Sequence, residues 1–143
     1  MTHIHLFIRN ESDVYEAVRQ SKKTAEALAF CPVQANYIAT ATSELASNLF
    51  LHAGEGVITI KELVTNLGIE IMTVDNGPGI LDVERALQDG YSTGGGLGCG
   101  LPGVKRLMDE LVIDSQPNKQ TIIIARKWLE TSELSKKKLW SVR

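Results

Sequence analysis

The sequence lacks the features that would assign it to several common classes of protein. Among its 143 residues, 15 are lysine or arginine and 17 are acidic, which gives a net charge of −2. This balance, and the lack of a basic stretch interleaved with aromatic residues, argues against nucleic-acid binding. No apolar run approaches the roughly 18–20 residues needed to cross a bilayer, so we expect no membrane segment.

Cysteine is scarce, and targeting signals are lacking. Cys31 and Cys99 are too few and too isolated for a disulfide framework or a zinc site. Two free thiols are typical of the cytoplasm, and the first residues have neither the charged nor the apolar region of a signal peptide. We therefore expect a cytoplasmic protein. The sequence also contains no P-loop and no Ser-His-Asp order.

Hydrophobic spacing predicts one domain of mixed helices and strands. Strands are predicted at 3–9, 56–64, 68–75, 111–115 and 121–127, and helices at about 10–30, 33–53, 82–88 and 102–110. This order favours an α+β fold, a two-layer α/β sandwich whose mixed, mostly antiparallel sheet has helices on one face. We divide the chain into a domain over 1–130 and a polar tail over 131–143, with a weakly docked helix as the alternative for the tail.

The first candidate site residues lie on the second predicted helix, where 44–48 read Glu-Leu-Ala-Ser-Asn. Glu44 and Asn48 are four residues apart, so they project from the same helix face. An amide oxygen such as that of Asn48 suits Mg²⁺, which takes few protein ligands besides waters and phosphates. The Glu44 carboxylate could then accept a proton from an attacking hydroxyl. The alternative is a solvated helix face with no special role.

The second candidate is Asp75, which ends a predicted strand and precedes Asn-Gly-Pro-Gly at 76–79. Gly77 and Gly79 allow a tight turn and a close approach of the main chain to a flat ligand. A carboxylate at this turn can accept a hydrogen bond from the amino group of adenine, which would discriminate adenine from guanine. The alternative is an ordinary turn-forming aspartate.

The third candidate is a glycine-rich loop, because five of the seven residues at 94–100 are glycine. Such a loop typically brings backbone amides to a ligand or allows movement. It leads into the predicted Pro102 helix, whose N-terminus would attract phosphate. Residues 98–103 also fit the dinucleotide pattern G-x-G-x-x-G, but that reading needs a strand directly before the glycines, and residues 88–92 do not resemble one.

Taken together, these segments resemble the GHKL ATPase/kinase superfamily, which has the Bergerat ATP-binding fold. The resemblance runs from about Ile4 to Leu129, and is strongest with the anti-sigma-factor serine/threonine kinase group and its stressosome switch kinases. It rests on four stretches, at 43–48, 75–80, 89–93 and 95–110.

The resemblance implies an ATP- and Mg²⁺-dependent serine/threonine kinase. Its substrates would be STAS-domain scaffold and antagonist proteins, and after release it would activate a downstream protein phosphatase of the PPM type. Glu44 would be the catalytic base, Asn48 the Mg²⁺ ligand and Asp75 the adenine reader. The other residues implied to bind the nucleotide are Gly77, Gly79, Gly96, Leu97, Gly98, Gly100, Leu101 and Thr121.

Two other functions stay open at this point. The chain could be a nucleotide-gated binding protein, either an anti-sigma factor or a phosphatase activator, in which ATP controls conformation and is not consumed. An intact Glu44 argues mildly against this function, because a pure binding protein needs no base. The chain could also be an ATPase module of a larger machine, but no transducer domain follows the last predicted strand.

Overall fold

The computed structural model describes residues 3–63, 65, 67–77, 100–130 and 139–142. Within these residues, six strands and three α-helices are present. The elements in chain order are β1 (His3–Ile8), α1 (Glu11–Ala27), α2 (Pro32–Asn48), β2 (Gly56–Leu63), β3 (Gly68–Asp75), α3 (Gly100–Leu107), β4 (Glu110–Asp114), β5 (Thr121–Trp128) and β6 (Leu139–Val142). A π-helical turn, Leu49–Ala53, continues directly from α2.

The described strands form one mixed sheet in the order β1-β2-β3-β5-β4-β6. All neighbouring pairs are antiparallel except β4 and β6, which are parallel. Because β3 and β5 are antiparallel, the end of β3 lies beside the start of β5. The predicted α+β fold with a mostly antiparallel sheet is confirmed.

The core lies between the sheet and the helices. Alternate strand residues are buried, as expected for a sheet with one covered face. They pack in one cluster with apolar residues of all three helices, including Ala17 of α1, Ile38 of α2 and Val104 of α3. The buried stripe of α2 includes Leu45 and continues to Leu49 in the π-helical turn, so the helix that carries Glu44 is fixed against the core.

Several predicted boundaries were wrong by a few residues. The first helix ends at Ala27, not near Phe30, because Ala29 adopts a φ of 70° and the Phe30 amide turns back to the Ala25 carbonyl at 3.1 Å. The last helix begins at Gly100 and ends at Leu107, since the Asp109 amide already donates to the Arg126 carbonyl of the sheet at 2.8 Å. The helix predicted over 82–88 lies outside the described residues.

The predicted second helix extended to Ala53, whereas its α-helical part ends at Asn48 and the π-helical turn takes its place. A π-helical turn inserts an extra residue into the helical repeat and is often found at functional sites. Here it turns the chain immediately after Asn48 and before Gly54, whose φ is +82°.

Residues 139–142 form a strand, not the tail or docked helix that was predicted for this region. The error has a physical cause, because a four-residue strand whose side chains are all exposed has no periodic apolar signal. The division of the chain at residue 130 stays a prediction. Among the helices that the structure describes, none is long and apolar enough to span a membrane.

Candidate nucleotide and phosphoryl-transfer site

Helix α2 places Glu44 at the edge of the core. The side chain is only 8% exposed, although glutamate is rarely buried unless it has partners. One of its contacts joins two distant parts of the chain, since the Gly100 amide donates to Glu44 Oε2 at 3.2 Å. Gly100 is the first residue of α3, so the carboxylate lies at the positive end of that helix, where an anion is stabilised.

Gly100 suits this contact because its φ is +66°, a conformation that residues with a side chain rarely adopt. Leu101, the next residue, is 7% exposed and belongs to the hydrophobic core cluster. In this structure Leu101 therefore packs in the core, and its contact with a nucleotide stays a prediction. Gly96, Leu97 and Gly98, which were predicted to bind the nucleotide from the glycine-rich loop, lie outside the described residues.

Asp75 ends β3, and its side chain turns back onto the following segment. The Gly77 amide donates to Asp75 Oδ1 at 2.8 Å, which fixes the carboxylate orientation. Burial raises the pKa of Asp75 above its ordinary value of 3.8, while the Gly77 hydrogen bond and the charge of His52 oppose this shift. The carboxylate is thus partly desolvated, a state in which a hydrogen bond to a ligand counts for more than in water.

Gly77 has a specific steric reason to be glycine. A Cβ at this position would lie 2.7 Å from the Cβ of Ala53 and 3.0 Å from its Cα. The turn after β3 therefore packs directly on the π-helical turn that follows Asn48. This contact connects the helix that carries Glu44 and Asn48 to the segment that carries Asp75. Gly79, the second predicted glycine of this turn, lies outside the described residues.

Thr121 is the direct partner of Asp75 across the β3–β5 pair. Its hydroxyl lies 2.7 Å from the Ser115 hydroxyl, and both residues are buried. The sheet therefore brings Asp75 and Thr121 together although 46 positions separate them in the sequence. The role of either residue in adenine recognition stays a prediction.

Sequence reasoning missed two neighbours of this site. The charge of His52 lowers the pKa of Asp75, but His52 was not among the predicted site residues. Ser115 was not considered, because its contact with Thr121 depends on the turn between β4 and β5. The one local signal for His52 was its spacing of four residues from Asn48, which in an α-helix places two side chains on the same face. His52 lies in the π-helical turn, where this spacing no longer gives the same face.

The residues that could hold a metal ion are few. In the described part of the chain, no group of three or more His, Cys, Asp or Glu side chains could hold one. Mg²⁺ bound to a nucleotide does not need such a cluster, because phosphate oxygens and waters supply most of its ligands. Asn48 is half-buried at the end of α2 and has an amide oxygen of the required kind, so its chemistry fits a single protein ligand.

Comparison with known proteins identifies the family. The sequence model of the histidine kinase-like ATPase domain matches residues 9–127. The chain belongs to the histidine kinase-like ATPase family. Membership of this family implies ATP use, in agreement with the resemblance seen in the sequence.

Individual relatives in this family include a kinase and anti-sigma factors. The serine/threonine-protein kinase RsbT of Bacillus subtilis is 45% identical over 124 residues, which cover 85% of this chain and 93% of that protein. An anti-sigma F factor of Caldanaerobacter subterraneus is 37% identical over 98 residues, covering 64% of this chain and 68% of that protein. The first similarity supports protein serine/threonine kinase activity for this member of the histidine kinase-like ATPase family.

A similar fold is found in a protein of known structure. A chain in the crystal structure of the SiaB–SiaC complex from Pseudomonas aeruginosa aligns with a TM-score of 0.57 over 89% of each chain. The two sequences are only 11% identical, so this likeness concerns the fold alone.

Proposed function

We propose that this chain is an ATP- and Mg²⁺-dependent serine/threonine kinase of a bacterial stress-response partner-switching system. It phosphorylates STAS-domain scaffold and antagonist proteins and, once released from them, activates a downstream PPM-type protein phosphatase. The 45% identity to a serine/threonine-protein kinase, over 93% of that protein's length, supports the kinase activity. Because the reaction consumes ATP and acts on regulatory proteins, we propose that it takes place in the cytoplasm.

The observation that carries this proposal is the buried Glu44 carboxylate at the start of α3. The N-terminus of a helix attracts phosphate through its unpaired amides and its dipole. A carboxylate at the same place would lie next to a phosphate bound there. This is the arrangement that a general base for phosphoryl transfer needs, because its action requires contact with the attacking hydroxyl.

The proposed reaction is a direct transfer of the γ-phosphoryl group of ATP. The hydroxyl oxygen of a substrate serine or threonine forms a bond to the γ-phosphorus of ATP, and Glu44 accepts the hydroxyl proton. The bond between the γ-phosphorus and the bridging β–γ oxygen breaks, so that ADP leaves. Phosphoryl transfer depends mainly on positioning and charge neutralisation. Asn48 would hold the Mg²⁺ of the bound nucleotide, and the metal would supply part of that neutralisation.

We propose that adenine is recognised by the part of the site formed by the end of β3 and the start of β5. Asp75 accepts a hydrogen bond from the adenine amino group, and Thr121 lies beside it on β5. The orientation given by the Gly77 amide at 2.8 Å supports this role, because the second carboxylate oxygen is left for another donor. The further residues proposed to contact the nucleotide are Gly77, Gly79, Gly96, Leu97, Gly98, Gly100 and Leu101.

A second function is favoured by a different observation, the 37% identity to an anti-sigma F factor. In this alternative, ATP controls the conformation of a protein that acts by binding to its partner. Both functions require protein partners, and they differ in whether Glu44 must accept a proton.

The substitution Glu44→Gln tests this difference. The amide keeps the size and the hydrogen bond with Gly100 but cannot serve as a base, so phosphotransfer should fall about 10²- to 10⁴-fold. Transfer is measured from γ-labelled ATP to candidate STAS-domain proteins, and ATP affinity by calorimetry should stay near that of the wild type. Glu26→Gln, an exposed position on α1, is the matched control. Undiminished transfer by Glu44→Gln would exclude Glu44 as the base and favour the binding function.

The proposed Mg²⁺ ligand is tested by Asn48→Ala. If the amide oxygen binds the metal, affinity for Mg²⁺-ATP should fall while affinity for ATP in the presence of a chelator changes little. Calorimetry with and without Mg²⁺ separates the two. Equal losses in both conditions would mean that Asn48 acts through packing and not through the metal.

A further inference from the structure

Strand β6 is an unusual addition to the sheet. It has four residues, all exposed, and it is parallel to β4 with Leu139 opposite Glu110 and Trp140 opposite Leu111. Besides this pairing, the Leu139 amide donates to the Asp109 carbonyl at 2.7 Å. Burial of apolar surface contributes little to the stability of so short and exposed a strand. Specific side-chain contacts should therefore contribute more to how β6 is attached.

One such contact joins β6 to helix α3. The Lys105 ammonium lies 4.2 Å from the centroid of the Trp140 ring, within the range of a cation–π interaction. Trp140 is opposite Leu111, whose side chain is buried, so the ring points to the helix side of the sheet. Lys105 belongs to the last turn of α3. We call this interaction the β6–α3 contact.

Helix α3 is held at both of its ends. At its start, the Gly100 amide contacts Glu44 Oε2 at 3.2 Å. At its end, Lys127 Nζ donates to the Leu107 carbonyl at 2.9 Å and pairs with Asp109 at 3.8 Å. The β6–α3 contact adds a third point of attachment, at Lys105 in the last turn of the helix. Because α3 has only eight residues, a shift of its last turn moves its first residue as well.

We propose that Trp140 is a positioning residue for the kinase reaction. Through Lys105 it stabilises the orientation of α3, and so it keeps the Gly100 amide on the Glu44 carboxylate. The catalytic part of this inference rests on the proposed function, whereas the stabilisation of α3 does not. Trp140 itself is not placed at the reacting atoms, so its effect must pass through the helix.

The test compares Trp140→Ala with Leu139→Ala. The two side chains are similarly exposed, at 48% and 53%, but Leu139 points to the opposite face of the sheet. Hydrogen exchange is followed by NMR at the Met108 amide, which is bonded to the Val104 carbonyl at the end of α3. An exposed cation–π contact corresponds to about a 2- to 5-fold change, so exchange should accelerate by that factor in Trp140→Ala and not in Leu139→Ala.

The second readout is phosphotransfer at saturating ATP, far below the unfolding temperature. Trp140→Ala should lower kcat about 2- to 5-fold, Trp140→Phe should restore most of the loss, and Leu139→Ala should match the wild type. Lys105→Gln should lower kcat to the same extent without a change in β6. This variant replaces Trp140→Ala in the test if Trp140→Ala does not fold. The double variant should be no worse than either single one, because both remove the same contact.

Three results would overturn the inference, namely unchanged exchange at Met108 in Trp140→Ala, an equal effect of Leu139→Ala, or faster exchange with unchanged kcat. The last result would leave Trp140 a stabilising role only. If the wild-type protein transfers no phosphate, the proposed function fails instead, and the exchange experiment still decides whether Trp140 holds α3.

Discussion

Replacing Asp75 by asparagine should change stability and nucleotide affinity in opposite directions. Asparagine is isosteric with aspartate, and its Oδ1 can still accept the hydrogen bond that the Gly77 amide donates at 2.8 Å. The other carboxylate oxygen is replaced by an amide nitrogen, so the charge and the acceptor proposed for adenine are both lost. Burial raises the pKa of Asp75, which means that the ionised carboxylate is less favourable in the folded protein than in the unfolded chain. At neutral pH the unliganded Asp75→Asn protein should therefore be more stable than the wild type.

The pH dependence has a defined sign. Because the pKa of Asp75 is raised on folding, its protonation favours the folded state, and that contribution is fully present below the ordinary value of 3.8. It is lost as the pH rises through the higher pKa of the folded protein. The stability advantage of Asp75→Asn should thus be largest at neutral pH and should shrink as the pH approaches 3.8.

Affinity for ATP should move the other way. A hydrogen bond to a charged group contributes about 1.5–3 kcal/mol. Loss of the bond from the adenine amino group to the Asp75 carboxylate should therefore reduce ATP affinity about 10- to 150-fold. Urea unfolding of the unliganded proteins and calorimetry with ATP measure the two effects separately. Asp114→Asn, an exposed aspartate at the end of β4, is the matched control. Lower stability at neutral pH, or unchanged ATP affinity, would refute the roles assigned to burial and to the carboxylate.

Two further substitutions test the packing around the site. Gly77→Ala would place a Cβ 2.7 Å from that of Ala53, so we expect a loss of about 1–3 kcal/mol in the free energy of unfolding. An unchanged midpoint of urea unfolding would contradict the close contact. Lys127→Met leaves the buried Asp109 carboxylate without its cation and should cost about 3–5 kcal/mol. The exposed Lys119→Met should cost almost nothing, and equal losses for the two lysines would argue against the buried pair.

Local patterns predicted the elements of this protein well where burial repeats regularly. Strand β3 was predicted with both of its ends, and α2 with its start to within one residue, because β-branched alternation and a proline in the first turn are local signals. The α-helical end of α2 was not predictable in this way. Nothing in the local sequence distinguishes a π-helical turn from one more α-helical turn, and the contact of Ala53 with Gly77 fixes it only in the folded chain.

The candidate site shows the same division. That Glu44 and Asn48 lie on one helix face follows from a spacing of four residues, and that Asp75 precedes a turn follows from the glycines after it. The contact of Glu44 with Gly100 spans 56 positions, and it depends on where α3 begins. The predicted start at Pro102 missed this point by two residues, because Gly100 enters the helix through a left-handed φ that a glycine-rich sequence does not specify.

The sequence alone predicted the α+β class from hydrophobic periodicity, and the family and the candidate residues from the resemblance of its short motifs. The tertiary structure alone decided which of those residues meet. Placing β5 between β3 and β4 brings Thr121 beside Asp75, and the attachment of β6 brings Trp140 to Lys105. Strand order is a matter of which distant segments bury one another best, and no single segment carries that information.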